Sequence, residues 1–468
     1  MITYQDFMKV PENGRIDYVR SIISQHKSSK EYKFAEVAEE YYKHRNVTIR
    51  RLVRLLYTVT GKQIPDTFST DWRLRTDWFN FFTVQLNQYL LSNGVSWQNE
   101  DTKDKLGVKF DRNLKKLGRY ALTHKVSFGF WNLDHLEPYS FLEFAPIYDE
   151  ENGALTAGVR FWQIDSSKPL RAQLFEPDGY TDLMWTADGK GKETGEILHP
   201  KRPYIQVMRT SEADGTEIYD GYNYPTFPIV PFYGIEKQSE LEGRQELIDC
   251  CDLILSGFAN TIEDASYIYW AIQGANGMKD IDLAKFIQHM KTIHAALVKG
   301  DGATATPNAI EAPYAGRKAL LDELREQLFY NFKGFDSRNI TGGAVIPQIE
   351  SAYEMLDQKA NDYEDCVFDF LDGIMKVAGI DDTPTLTRSK ITNRQEEINT
   401  VLMCRDVLTE DYTTKKILTI LGDGDLADDI IKERDAEQME TINLNEGDYG
   451  QSAPDNGRDN QGDGGEAA

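Results

Sequence analysis

Several groupings in this 468-residue chain bring together side chains that could act chemically, and each lacks the arrangement its chemistry needs. His289 and His294 are five apart, which puts them on different faces of a helix and off the i, i+4 spacing of a metal-binding pair. The run Gly422-Asp-Gly-Asp-Leu-Ala-Asp-Asp429 clusters carboxylates but misses the calcium-loop spacing and its closing glutamate. It reads instead as a loop leading into a helix, where acids complement the dipole. Gly189-Lys-Gly-Lys192 is a turn between strands, without the spacing or following helix of a phosphate loop. No serine has a nucleophile-elbow context. Pairs such as Glu263-Asp264 mark a solvated face. Cys250 and Cys251 are adjacent in an apolar helical pattern, where thiols pack as small hydrophobes. With Cys366 and Cys404 they are too few and scattered for a disulfide framework, which points to synthesis in a reducing cytoplasm. The expectation is no enzyme, no metal site and no cofactor.

The charge balance narrows the partners. The chain carries 76 acidic against 52 basic side chains, a net charge of −24. A protein that grips duplex DNA normally presents a strongly basic surface, because phosphate neutralisation supplies much of the affinity. This chain either avoids nucleic acid or sits close to it without sticking. No long uncharged apolar run is present, so no membrane-spanning helix is expected. The polar opening MITYQDFMKVPENG is unlike a secretory signal peptide. Against the acidic background, Lys43–Lys62 holds six Lys and Arg residues and no acid. Arg50, Arg51 and Arg54 there either face a partner or pair with acidic neighbours from a helix.

The elements that would position these groups change character along the chain. Arg15–Ser24 and Tyr32–Tyr42 have helical spacing of apolar residues. The aromatic and amide-rich run Trp72–Trp97 stops at Ser92-Asn93-Gly94, and Asp101–Val126 reads as one more helix. The middle shifts to short β-branched and aromatic segments at Tyr139–Ile147, Ala154–Ile164, Ala172–Glu176, Leu183–Thr186 and Tyr204–Thr210. Turn sequences such as Glu151-Asn152-Gly153 and Pro177-Asp178-Gly179 separate them, which predicts an antiparallel meander. Prolines at 225, 228 and 231 then exclude helix. Ser239–Ala271 predicts a helix of roughly 45–50 Å, at about 1.5 Å per residue. Arg317–Phe332 predicts a second, and between them lies a compact insertion with a short helix at Leu283–Ile293 and two strands. Ile349, Tyr353, Leu356, Ala360, Tyr363, Val367, Phe370 and Ile374 alternate steps of four and three, the stripe of a long helix with a narrow packed seam. A strand-like TPTLTRSKI and helices at Arg394–Leu408, Asp411–Leu421 and Leu426–Met439 follow. Thr441–Ala468 has almost nothing to bury and is expected to be disordered. Two long helices bracketing a small insertion either leave apolar surface for assembly or form a hairpin inside a monomeric core.

The ordered wording of several segments resembles the portal proteins of tailed bacteriophages, in particular the SPP1-type portal family. The segments are Trp78-Phe79-Asn80-Phe81-Phe82-Thr-Val-Gln85 with Tyr89–Val95, then Leu117–Gly129, Asp149, Arg160-Phe161-Trp162 and Leu174–Tyr180. Pro225–Phe232, Ser239–Glu242, Ile248-Asp249, Leu255–Asp264 and Arg388 onward complete the series. The resemblance implies an α+β, portal-like fold: long stem helices with an inserted small α/β clip, a β-rich and helical wing, and a helical crown. It places the wing at 1–237, helical first and then a β meander. The stem helices fall at 238–271 and 317–335, the clip at 272–316, the tunnel loop at 336–348, the long wing helix at 349–379 and the crown at 380–440, before the acidic tail 441–468.

What the resemblance implies functionally is a ring, twelve subunits in most of the family, at one capsid vertex of the virion, made in the bacterial host cytoplasm. Double-stranded DNA enters and leaves through its channel. The implied partners are the terminase large subunit, a head-tail adaptor, and the major capsid and scaffold proteins, with no membrane. The tunnel loop would offer Arg338, Asn339, Ile340, Thr341, Gly342, Gly343, Val345 and Ile346. Glu240, Glu246, Asp249 and Asp252 would make an acidic stem lining, which suits DNA passage because each lysine or arginine touching phosphate adds attraction. Lys279, Asp280, Lys285 and Lys299 would be clip contacts. A monomeric acidic adaptor and a packaging enzyme are the competing readings. The enzyme would need a phosphate loop or a metal-binding carboxylate set, and neither is found.

Overall fold

Helices and antiparallel sheets alternate in a mixed α+β arrangement, seen here in a computed structural model. The structure describes all residues except 1–2, 52–54, 58–61, 66–69, 188–192, 211–216, 266–268, 274–303, 309–313, 340–345, 391–393, 406 and 437–468. The chain divides into two compact units, residues 1–337 with 353–390 and residues 338–352 with 391–468.

The first unit begins with helices Arg15–Ser28 and Lys30–Tyr42, parted at Ser29, whose hydroxyl accepts from the Tyr32 amide at 3.1 Å and caps the second helix. The meander is a five-stranded sheet in consecutive order: Phe144–Tyr148, Leu155–Trp162, Leu170–Glu176, Gly179–Ala187 and Glu193–Arg202. Its first turn is built by Asp149, whose Oδ1 accepts from the amides of Glu151 at 2.9 Å and Asn152 at 3.1 Å. Gly153 completes it at φ +67°, a conformation glycine adopts without a Cβ penalty. Alternate sheet residues Phe144, Val159, Phe161, Leu174 and Leu183 bury with Val19, Ile22 and Ile23 of the first helix in one apolar cluster. A separate three-stranded sheet pairs Ile229–Tyr233, Val126–Asn132 and His135–Ser140. Pro231, which has no N–H to donate, lies on its edge strand.

Helix Ile346–Ala378, 33 residues long, carries the apolar stripe, and all eight of its stripe residues are buried. Where it crosses the small sheet, Phe370 stacks on Phe232 with centroids 5.0 Å apart. Gly129 allows that approach, since a Cβ there would lie 2.6 Å from the Phe370 ring.

Several elements differ from the sequence expectation. Tyr139–Ile147 is split between strands His135–Ser140 and Phe144–Tyr148 of different sheets, and Ile205–Thr210 pairs with Glu217–Tyr222 apart from the meander. Asp101–Val126 is two helices, Glu100–Leu106 and Phe110–His124, broken at Gly107 with φ +81°. Among the described residues, Lys43–Lys62 holds the short helix Thr48–Arg51 and the first strand, Leu55–Tyr57, of a hairpin with Gln63–Pro65. The first long helix is Gln245–Ala265, 21 residues or roughly 32 Å, because residues 239–244 turn and Tyr269–Gln273 is a strand paired with Thr304–Asn308. The tract Tyr269-Trp270-Ala271-Ile272 is aromatic and β-branched, which favours the pleated state over a helical continuation. The second long helix starts earlier than expected, at Tyr314, and ends at Phe332.

In the second unit, helices Arg394–Met403 and Glu410–Leu421 are followed by a helical stretch at 427–436. Thr409 caps the middle helix, and Gly422 ends it in the left-handed region at φ +99°. The acids of 422–429 serve locally, as Asp428 pairs with Lys415 at 3.0 Å. The proposed short helix Leu283–Ile293 and the tail 441–468 lie outside the described residues.

Candidate channel and assembly site

Helix Gln245–Ala265 carries a polar stripe at 249, 252, 256, 260 and 263, steps of three and four that keep one face. Each member holds a distant piece of chain. Asp249 Oδ1 accepts from the hydroxyls of Tyr41 and Thr48. Asp252 accepts from Asn46 Nδ2 at 2.6 Å and from both the amide and hydroxyl of Thr76 at 2.7 Å. Ser256 Oγ accepts from the Leu74 amide at 3.0 Å and Asn260 Oδ1 from the Trp72 amide at 2.7 Å, while Asn260 Nδ2 donates to the Trp72 carbonyl at 3.2 Å. Glu263 accepts from the Trp72 indole. The extended segment 70–76 is thereby strapped antiparallel along the helix. Burial raises the pKa of Asp252 despite these donors.

The turn that leads into this helix, residues 239–244, is fastened by charge. Lys359, buried on the long helix, donates to Glu240 at 2.5 Å and to the Phe332 carbonyl at 2.8 Å. Arg244 donates to the Asn331 carbonyl at 2.9 Å and lies 3.3 Å from Glu240. Two cations thus satisfy the last carbonyls of helix Tyr314–Phe332, where the helix dipole favours positive charge. Burial lowers the pKa of Lys359, opposed by the Glu240 charge.

These contacts take up most of the acids expected to line the stem. Glu240 and Asp252 are buried, Asp249 is half-buried against Tyr41 and Thr48, and only Glu246 of the four is exposed. Acids spaced along a helix look solvated in sequence, but here distant hydroxyl, amide and ammonium groups take them up. On the outward side, apolar residues remain exposed: Leu253 and Ile262 on the first helix, and Tyr314, Leu320 and Tyr330 on the second, Tyr330 to 69%. Between the helices the apolar cluster of Ile248, Cys251, Leu324, Leu328 and Phe332 is buried with Phe79 and Phe82. Burial pushes the Cys251 thiol up to about 12, so it packs as a hydrophobe.

The expected tunnel loop is described only at its ends. Arg338 and Asn339 belong to a 3-10 turn, Ser337–Asn339, and Ile346 begins the long helix, whereas Ile340, Thr341, Gly342, Gly343 and Val345 lie outside the described residues. So do Lys279, Asp280, Lys285 and Lys299 of the expected clip, Arg54, and both histidines His289 and His294. Sequence reasoning missed the partners of the polar stripe, Asn46, Thr48, Leu74 and Thr76, which lie about two hundred residues from it and have no local pattern. It also missed Lys359, a lone lysine among the apolar stripe positions of a long helix, which was the available signal. Among the described residues no group of three or more His, Cys, Asp or Glu side chains is placed to hold a metal ion, and no helix is long and apolar enough to cross a membrane.

The long helices are thus braced by polar contacts and leave several apolar side chains exposed. The sequence profile described as phage portal protein, SPP1 Gp6-like, matches residues 23–438, and the chain belongs to that family. It is 22% identical to the portal protein of Bacillus phage SPP1 over 394 residues, 77% of this chain and 75% of that one. It is 26% identical to the portal protein of Clostridium phage phiCD119 over 188 residues, 38% of this chain and 42% of that one. Among solved structures, a chain from the neck of an empty GTA particle computed with C6 symmetry covers 73% of this chain and 89% of its own length, at 11% identity and a TM-score of 0.36.

Proposed function

We propose that this chain is a portal subunit: a non-enzymatic structural protein of the virion that forms a ring, twelve-membered by family precedent, at one capsid vertex. Double-stranded DNA passes through the ring during packaging and ejection. The observation that carries this reading is the family match across residues 23–438. The exposed apolar side chains of the two stem helices support it, because a ring contact would cover them. Residues 272–316 are the docking segment for the terminase large subunit and afterwards the head-tail adaptor, and the rim of the ring faces capsid and scaffold proteins. Residues 336–348 reach the DNA through Arg338, Asn339 and the stretch up to Ile346. The wall around them draws on exposed acids such as Glu242 and Glu246, which repel phosphate and leave no deep well along the channel.

Mass measurement and negative-stain imaging of the purified chain test the ring. A closed ring with an axial hole is expected, and a monomer at micromolar concentration overturns the reading. Deleting Ile340–Ile346 should leave the ring intact and abolish DNA packaging in a reconstituted assay.

A further inference from the structure

Helix Tyr314–Phe332 presents two unlike sides. At about 100° per residue, Leu320 and Tyr330 together point roughly 170° away from the mean direction of Leu321, Asp322 and Arg325. On the first side Leu320 and Tyr330 stand exposed, and Glu323 and Glu326, also exposed, lie two turns and one turn before Tyr330. The second side closes a groove of about 440 Å³, lined by Trp78, Phe81, Cys251, Leu255, Leu321 and Arg325. Trp78 and Phe81 meet edge to face there with centroids 6.4 Å apart, and Phe81 is 42% exposed. The Arg325 guanidinium lies over the rings of Trp78 at 5.9 Å and Phe329 at 5.4 Å. Its pairing with Asp336, at 3.5 Å, is longer than the roughly 2.7–2.9 Å of a charge-assisted hydrogen bond. Lys318, exposed two turns before Arg325, is on the groove side too. Two acids also line the groove: Asp77, which lies 2.7 Å from His44 Nδ1, and Asp322.

We propose that this groove is the receiving half of a contact between two copies of the chain, filled by the Leu320 and Tyr330 side chains of the next copy. The proposal rests on the ring reading and names the contact that closes the ring. Its physical case has three parts. The inserted residues are apolar or aromatic and enter a groove of the same character, where the Tyr330 ring meets Trp78 and Phe81 while its hydroxyl donates to Asp322. The charges match in sign, with Glu323 and Glu326 flanking the inserted side and Lys318 and Arg325 flanking the groove. Exposed pairs of this kind fix direction and register more than they add strength. The two halves also lie on opposite sides of one helix, so neither is complementary to itself. Such a contact joins copies head to tail and closes into a ring, whereas a self-complementary patch stops at a dimer.

Complementation between full-length variants tests it. Leu320→Glu with Tyr330→Glu spoils the inserted side and leaves the groove, whereas Phe81→Glu with Leu255→Glu spoils the groove and leaves the inserted side. Each double variant should be a monomer by light scattering at protein concentrations where the wild type forms rings. Mixed in equal amounts, the two retain one sound contact and should give a heterodimer, twice the monomer mass, that grows no further. Melting profiles show whether each monomer is folded. Photocrosslinking gives an answer that does not depend on those variants folding. In rings carrying Tyr330→p-benzoylphenylalanine, crosslinks should join position 330 of one copy to residues 78–81 or 321–325 of another, the copies being distinguished by isotope labelling. Rings from either double variant, two folded monomers that do not pair when mixed, or crosslinks that avoid the groove overturn the inference and leave the ring reading standing. A wild-type monomer overturns the ring reading and this contact with it.

Discussion

His26 is a residue whose ionisation opposes the fold. Its ring is packed edge-on by Tyr32 at 5.1 Å and Phe141 at 4.6 Å, and Nε2 donates to the Phe141 carbonyl at 2.8 Å. Burial in this aromatic setting lowers its pKa from 6.5 to about 4. The unfolded chain therefore takes up a proton below pH 6.5 that the folded chain refuses until about pH 4, so stability falls as pH drops through that window. Between pH 7.5 and 5 this contributes about 1 kcal/mol of lost stability, after discounting for the partly exposed ring edge. His26→Gln keeps a donor and cannot titrate. It should lower the urea midpoint at pH 7.5 through lost packing, but its midpoint should fall less than the wild type's on going to pH 5. An unchanged pH slope removes His26 from the acid response. At this scale the sequence was partly legible. The pair Cys250-Cys251 read correctly as packed, since Cys251 is buried and Cys250 lies half-buried against the same apolar cluster. The partners of Asp249 and Asp252, which were expected in a stem lining, were not legible, because Tyr41, Thr48, Asn46 and Thr76 reach them only after the chain has folded back.

Helix Gln245–Ala265 is held by its strap as much as by its apolar side. Ser256 and Asn260 satisfy the backbone of Leu74 and Trp72, groups that an extended segment with no strand partner must otherwise leave to water. Arg73 and Arg75 in the same strap are exposed and offer tryptic sites. Each of Ser256→Ala and Asn260→Ala should cost about 1 kcal/mol of local stability. Cleavage after Arg73 and Arg75 should quicken roughly fivefold for each single variant and more than tenfold for the double, with the rest of the digestion pattern unchanged. Equal rates in the wild type and all three variants would mean that Asp252 and Glu263 hold the strap without them. Elements with a strong period were readable: the long helix was expected from residue 349 and runs Ile346–Ala378, and the meander turns at Glu151-Asn152-Gly153 and Pro177-Asp178-Gly179 are where they were expected. Elements without one were not. Lys43–Lys62 looked helical from its Leu and Arg content yet forms a hairpin, and Gly107 divides a helix whose apolar pattern runs straight through.

In the proposed ring, the net charge of −24 and the exposed apolar residues of helices Gln245–Ala265 and Tyr314–Phe332 pull in opposite directions. Like-charged copies repel over about 30 Å at 0.01 M salt and about 10 Å at 0.1 M, so a ring held by apolar seams should form more readily as salt rises. Complexes held by salt bridges between copies would weaken instead. The sign of the salt dependence therefore identifies the force that closes the ring. Leu320 and Tyr330 share the exposed side of helix Tyr314–Phe332, and burying a side chain of that size contributes roughly 1.5–3 kcal/mol at each contact. Leu320→Glu with Tyr330→Glu replaces that gain with buried charge. Size-exclusion chromatography with light scattering should give wild-type rings at 0.5 M salt and partial dissociation at 0.01 M. The double variant should stay monomeric at both, with the far-ultraviolet spectrum and melting profile of the wild-type monomer, since neither side chain belongs to the buried cluster of Leu324, Leu328 and Phe332. Rings from the double variant, or wild-type rings that dissociate as salt is added, would assign closure to polar contacts elsewhere on the subunit.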